Sequence, residues 1–206
     1  TYYDFGLTTL SCRGNLLRSL PNFPNSLYSI DCSYNPLYNL PGFPPSTREI
    51  NCAGDSLSTL PALPNFLNYL ECSNNQLTSL PILPDHDMII ISCAGNKLTS
   101  LPKLQVVREL NCSNNLLTSL PEIPVVCRLT MTNNNILCLP KILPLNNDGA
   151  TVYIDSTIKC NPNHDWRISL NINLPHCYPS NNINHCEAFP VIGGTVFYDA
   201  NNNGIR

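Results

Sequence analysis

Eleven cysteines and four histidines in 206 residues are the groups best able to carry chemistry in this chain. Three short constellations set a histidine beside a second reactive group: His164-Asp165, His176-Cys177 and His185-Cys186. None has the ligand spacing of a zinc module, which must bring four donors to a tetrahedron. Around His164 and Asp165 no set of nucleophile, base and oxyanion donors can be assembled, so the chain reads as non-enzymatic. Near the end of the chain, Asp199, Asn201 and Asn203 supply oxygens at alternating positions, and Gly204 permits a sharp turn. Asp-x-Asn-x-Asn-Gly is the first half of a calcium loop and equally an Asn-rich turn. The acidic ligand required further on would lie past Arg206. Calcium binding is therefore expected to be weak, and no other cofactor is expected.

The cysteines fall into two groups. Cys12, Cys32, Cys52, Cys72, Cys93 and Cys112 recur at a period of roughly twenty residues. Apolar and polar residues alternate around each, as in Leu10-Ser11-Cys12 and Leu70-Glu71-Cys72, which marks a strand with one buried face. Stacked in parallel at a strand spacing of about 4.8 Å, these cysteines would point the same way. Parallel Cβ vectors suit the disulfide dihedral poorly, so the column is expected to hold free, buried thiols acting as small hydrophobes. The second group is Cys127, Cys138, Cys160, Cys177 and Cys186. Cys138 precedes Leu139-Pro140 and Cys160 precedes Asn161-Pro162, which places them at equivalent points of successive turns and allows a cross-turn disulfide. Cys177 and Cys186 would staple an Asn- and Pro-rich segment with little core of its own. Cys127 is the thiol left over. Such staples imply an oxidising compartment.

The elements that must carry these residues are set by the repeat itself: Leu-x-x-Leu-x-Cys-x-x-Asn-x-Leu-x-x-Leu-Pro-x-Leu-Pro, seven times between Leu7 and Leu139. The fourth copy shows it fully, with Leu67, Leu70, Cys72, Asn75, Leu77, Leu80, Pro81, Leu83 and Pro84. The fifth gains one residue and the seventh, with Met131 for cysteine, is looser. An asparagine can bond neighbouring backbone through both its amide donor and its acceptor. Asp55 replaces it in the third copy and can only accept, so that turn should be weaker. Two prolines in the second half of each repeat remove donors and exclude helix there. An extended, polyproline-like convex side is expected, opposite a parallel sheet on the concave face.

This pattern resembles the leucine-rich repeat, whose signature is L-x-x-L-x-L-x-x-N/C-x-L. The resemblance covers about two-thirds of the chain and implies a solenoid with few or no helices. The Leu-Pro-x-Leu-Pro half is similar to the short bacterial subclass found in secreted effectors and cell-surface proteins. A second resemblance lies in Gly194–Gly204, which looks like the opening strand and loop of the immunoglobulin-like B-repeat domains of bacterial surface adhesins. The organisation expected is leucine-rich repeats over 1–144, a disulfide-stabilised C-terminal cap over 145–190, and a linker with the start of a following module over 191–206. Leu145, Val152, Ile154, Trp166, Ile168, Leu170 and Leu174 would cover the last rung, with Val152 and Ile154 in a degenerate eighth strand. Since the chain starts at Thr1 without Met or a signal peptide, it is expected to be a processed or excised piece.

Composition limits the partners. A net charge of −3 gives no basic footprint for nucleic acid, and no stretch is apolar and long enough to span a membrane. A solenoid offers a long, shallow surface suited to binding a protein or glycan. Its concave columns would be Ser11, Asp31, Asn51, Glu71, Ser92, Asn111, Thr130; then Thr9, Ser29, Glu49, Tyr69, Ile90, Glu109, Arg128; then Thr8, Tyr28, Arg48, Asn68, Ile89, Arg108, Cys127. The candidate partner-binding residues are Tyr28, Arg48, Glu49, Tyr69, Glu71, Ile89, Ile90, Arg108, Glu109 and Arg128, because aromatic and arginine side chains usually anchor interfaces and adjacent isoleucines on a solvated face need covering. The expected role is non-enzymatic recognition by a secreted or surface bacterial protein, in adhesion or partner recognition. The alternative is the substrate-recognition part of a secreted effector of the ubiquitin-ligase type, whose catalytic domain nothing after Leu139 resembles.

Overall fold

The computed structural model describes residues 6–137, 139, 142–144, 150–155, 158 and 168–170. Among them there is no helix, and the chain winds as a parallel β-solenoid. The strands are β1 (Thr9–Ser11), β2 (Ser29–Asp31), β3 (Glu49–Asn51), β4 (Tyr69–Glu71), β5 (Met88–Ser92), β6 (Val107–Asn111), β7 (Ile123–Val126), β8 (Arg128–Thr130), β9 (Ile142–Pro144), β10 (Ala150–Tyr153) and β11 (Ile168–Leu170). Nine of them form one sheet in the order β1-β2-β3-β4-β5-β6-β8-β10-β11. Every neighbouring pair in it is parallel, and the register keeps Leu10, Ile30, Ile50, Leu70, Ile91, Leu110, Leu129 and Val152 in one line. β10 supplies the eighth rung anticipated at Val152, and β11 adds a ninth. The residue gained by the fifth repeat lies between Pro84 and Met88, ahead of β5, so the register survives it.

The strands are short because each is bounded by a special turn. Two residues after the cysteine position, the chain enters the left-handed region at Gly14, Tyr34, Gly54, Asn74, Gly95, Asn114 and Asn133, with φ between 54° and 70°. Glycine takes this conformation freely and asparagine tolerates it; tyrosine does so rarely. Over the first five turns the column alternates small and large, and at Gly54 and Gly95 the preceding side chain crowds the position. A Cβ on Gly54 would lie 2.8 Å from the Tyr34 ring, and one on Gly95 2.5 Å from Asn74 Oδ1.

The asparagine ladder closes each turn. Asn75 Nδ2 donates to the carbonyls of Cys52 (2.8 Å) and Cys72 (3.1 Å), while its Oδ1 accepts from Leu57 N. Asn35, Asn96, Asn115 and Asn134 repeat this pattern with their own neighbours. Asp55 interrupts it. Its Oδ1 accepts from Asn35 N at 2.6 Å, and its Oδ2 is buried without a partner. Burial pushes the Asp55 carboxyl up to about 6, against the lowering effect of the Asn35 and Leu37 amides, with Asp31 adding a smaller upward push.

The core is a continuous stack of repeat positions: Leu67, Leu70, Cys72 and Leu77 of one turn are fully buried, as are Ile50, Cys52 and Leu57 of the turn before. Each such leucine or isoleucine contributes about 1.5–3 kcal/mol of apolar burial. Cys12, Cys32, Cys52, Cys72, Cys93, Cys112 and Cys127 are free thiols. Cys72 Sγ donates to the Ser92 carbonyl at 3.4 Å. Desolvation raises the thiols of Cys52, Cys72 and Cys93 well above their ordinary range, and those of Cys32 and Cys112 to about 12. On the proline-bearing side, β7 and β9 pair in parallel as a second, two-stranded sheet. Extended backbone there was expected; a ladder was not, and Pro124 sits within it where the register shifts between Ile123 and Val126.

Candidate functional site

Residues flanking the buried line on each strand project to the concave face, since successive side chains of a strand alternate. The register confirms two of the expected columns as spatial rows: Glu49, Tyr69, Ile90, Glu109 and Arg128 are consecutive partners, and so are Asp31, Asn51, Glu71, Ser92 and Asn111. The third row, Tyr28, Arg48, Asn68, Ile89 and Arg108, is joined at the strand entrances by backbone bonds such as Arg48 N to Tyr28 O and Ile89 N to Asn68 O. At the centre, half-buried Tyr69 and Ile90 stand side by side and Ile89 is 51% exposed. Glu49 is exposed next to Tyr69, and Glu71 follows two residues along the same strand. Desolvation raises the Tyr69 hydroxyl above its usual range, and Glu71, Asp31 and Glu49 push in the same direction.

Arg48 is engaged within the chain. Its guanidinium donates to the carbonyls of Pro45, Ser46 and Thr47 and lies 4.8 Å from the centre of the Phe66 ring. It braces the turn before β3. Arg108, Glu109 and Arg128 are exposed at the other end of the face, and Tyr28 is 47% exposed at its near end.

A shallow hollow of about 410 Å³ opens where β3–β6 end, lined by Arg13, Tyr34, Tyr69, Glu71, Ser92 and Asn111 among others. Arg13 lies 4.4 Å from the centre of the Tyr34 ring and donates to Ser33 Oγ at 3.1 Å, and Ser33 Oγ donates to Asp31 Oδ1 at 2.6 Å. Sequence reasoning missed Arg13 and Tyr34, which lie past the strands. The signal was a tyrosine at a position that other turns fill with glycine or asparagine. Cys138, Cys160, Cys177 and Cys186, the paired histidines, and Asp199, Asn201 and Asn203 lie outside the described residues, as does most of the expected cap. Among the described residues no three His, Cys, Asp or Glu side chains could hold a metal ion, and no helix is long and apolar enough to cross a membrane.

Known structures share this winding. A Shigella effector leucine-rich-repeat domain matches with a TM-score of 0.65 and 34% identity over 79% of this chain and 70% of its own. The chain belongs to the leucine-rich-repeat family. YopM of Yersinia enterocolitica matches with a TM-score of 0.63 and 27% identity over 82% of the chain. YopM of Yersinia pestis, described as a leucine-rich effector protein, gives 0.55 and 26% over the same share. The matches cover 40% and 57% of those two chains. No family model and no curated protein sequence matches the chain.

Proposed function

We propose that this leucine-rich-repeat chain is a non-enzymatic recognition module that binds a protein partner through its concave face. The observation that carries the reading is the central cluster of Tyr69, Ile90 and Ile89, where apolar side chains stand beside one another on two adjacent rungs and Ile89 is half exposed. Such a cluster contributes binding energy when covered and none when left in water. A secreted or surface bacterial protein engaged in adhesion or partner recognition fits this role. A second reading, the partner-selecting part of an effector, is supported by the likeness to the Shigella effector domain and to YopM.

The test is affinity capture with the intact chain, with partners identified and then measured individually. Changing Tyr69 and Ile89 to Ser should weaken a true partner by about 2 kcal/mol or more while leaving the melting temperature in place. Ile82, which is exposed on another side, serves as the control: loss of binding in Ile82→Ser, with binding retained in the concave variant, would move the site off this face.

A further inference from the structure

We infer that the partner of this face is an extended segment with cationic residues at one end and apolar residues at the other, the cations lying over β2–β4 and the apolar residues over β5. The inference rests on the concave-face reading above and adds the chemistry of the partner.

The argument is one of charge and its compensation. On the face presented by β1–β4, the ionisable side chains are Tyr28, Asp31, Arg48, Glu49, Tyr69 and Glu71. Arg48 is the sole cation there, and its guanidinium is turned onto three backbone carbonyls and the Phe66 ring. Arg13, on the rim, is held by the Tyr34 ring and Ser33 Oγ, and so faces Asp31 through an intervening hydroxyl. Glu49 and Glu71 have no cation against them among the described residues. Glu71 accepts only the Ser73 amide, at 2.9 Å. These two carboxylates flank Tyr69, whose ring is a surface on which a lysine or arginine can lie while its charge meets a carboxylate. One rung on, the face changes to Ile90 and Ile89. On the rungs after that its charge is mixed, with Arg108, Glu109 and Arg128. The sequence of environments along the sheet is thus acidic and aromatic, then apolar. From β2 to β5 there are three strand spacings, about 14 Å at ~4.8 Å each. An extended segment of about four residues spans it.

The probe is a fluorescent twelve-residue synthetic peptide with Lys and Arg in one half and Leu and Val in the other. It is titrated into the whole chain by anisotropy, beside a counterpart with Glu for every cation. The basic peptide should bind, weaken as salt is raised, and lose at least tenfold in affinity in the Glu49→Gln/Glu71→Gln variant. Both changes are isosteric, and the amide oxygen introduced at position 71 can still accept from the Ser73 amide. Equal binding of the acidic peptide, no binding of the basic one, or unchanged affinity in the double variant overturns the inference. Tyr69→Ser/Ile89→Ser separates the two claims. Should it abolish binding while the Glu→Gln variant does not, the concave reading stands and the cationic partner falls; should neither variant matter, both fall.

Discussion

Asp55 is the residue where the chain departs from its own pattern, and its behaviour follows from one missing donor. Its carboxyl is raised from 3.8 to about 6 because burial opposes its charge. The folded state therefore holds this proton more tightly than the unfolded one. The contribution is fully present below about pH 4 and is lost as pH climbs through 6. This slope is opposite to that of an ordinary paired carboxylate. Asp55→Asn should remove it, and should let the new amide bond Cys32 and Cys52 carbonyls as Asn75 bonds Cys52 and Cys72. The expected gain at neutral pH is about 1 kcal/mol, read from denaturant midpoints at pH 4 and pH 7.5; an equal change at both would contradict the titration argument. Cys72 gives the converse case. Cys72→Val keeps an apolar group of similar volume and should cost under about 1.5 kcal/mol, whereas Cys72→Asp should unfold the array. The difference between these two residues was legible in sequence, since both sit in columns whose other members reveal what the position needs. The size and direction of the Asp55 titration were not, because they depend on Oδ2 being enclosed.

At the scale of the turn, strand, left-handed residue and ladder asparagine act as one element. Asn96 donates to the Cys72 and Cys93 carbonyls and accepts from Leu77 N, all in the interior. Asn96→Ala would strand these groups and should cost about 3 kcal/mol, measurable by urea unfolding; Asn15, at the exposed first turn, bonds only the Cys12 and Arg13 carbonyls among the described residues and should cost less. Strand positions, their register and the three concave rows could be read from the repeat because a fixed period leaves one way to stack the turns. Two things could not. The fate of Arg48 depends on Phe66, which stands where the two preceding turns carry Ser26 and Ser46, and that contact crosses from one turn to the next. The β7–β9 pairing depends on two extended legs coming within hydrogen-bonding reach, which composition alone does not specify.

For the whole molecule, the thiol column links stability to alkaline pH. Cys32 and Cys112 hold their protons to about 12 in the fold, against 9.0 for a free thiol, and Cys52, Cys72 and Cys93 are raised as well. Raised values mean that the stabilisation is complete below pH 9 and drains away as pH rises towards 12. The melting temperature should accordingly fall above pH 9, and these five thiols should resist a thiol reagent at pH 7.5 until denaturant is added; reaction in the native state would contradict their enclosure.

The alternation along the left-handed column gives the first five turns a grammar of two. Tyr34 needs a glycine on the following turn and finds Gly54, while at Asn74 the following Gly95 leaves room for the amide as it stands. Further on, Asn114 and Asn133 stand next to each other by joining their amides at 2.9 Å, a bond that a tyrosine ring cannot make. Excising residues 45–64 would set Tyr34 against Asn74, two side chains claiming one space. Excising 45–84 would set it against Gly95, and the stack would close. Both cuts remove Asp55, so its titration does not separate them. The shorter array should therefore fold better than the longer one, the reverse of what turn number alone dictates. Insertions and deletions in this part of the solenoid are then tolerated in pairs of turns, and its duplicable unit is about forty residues rather than twenty.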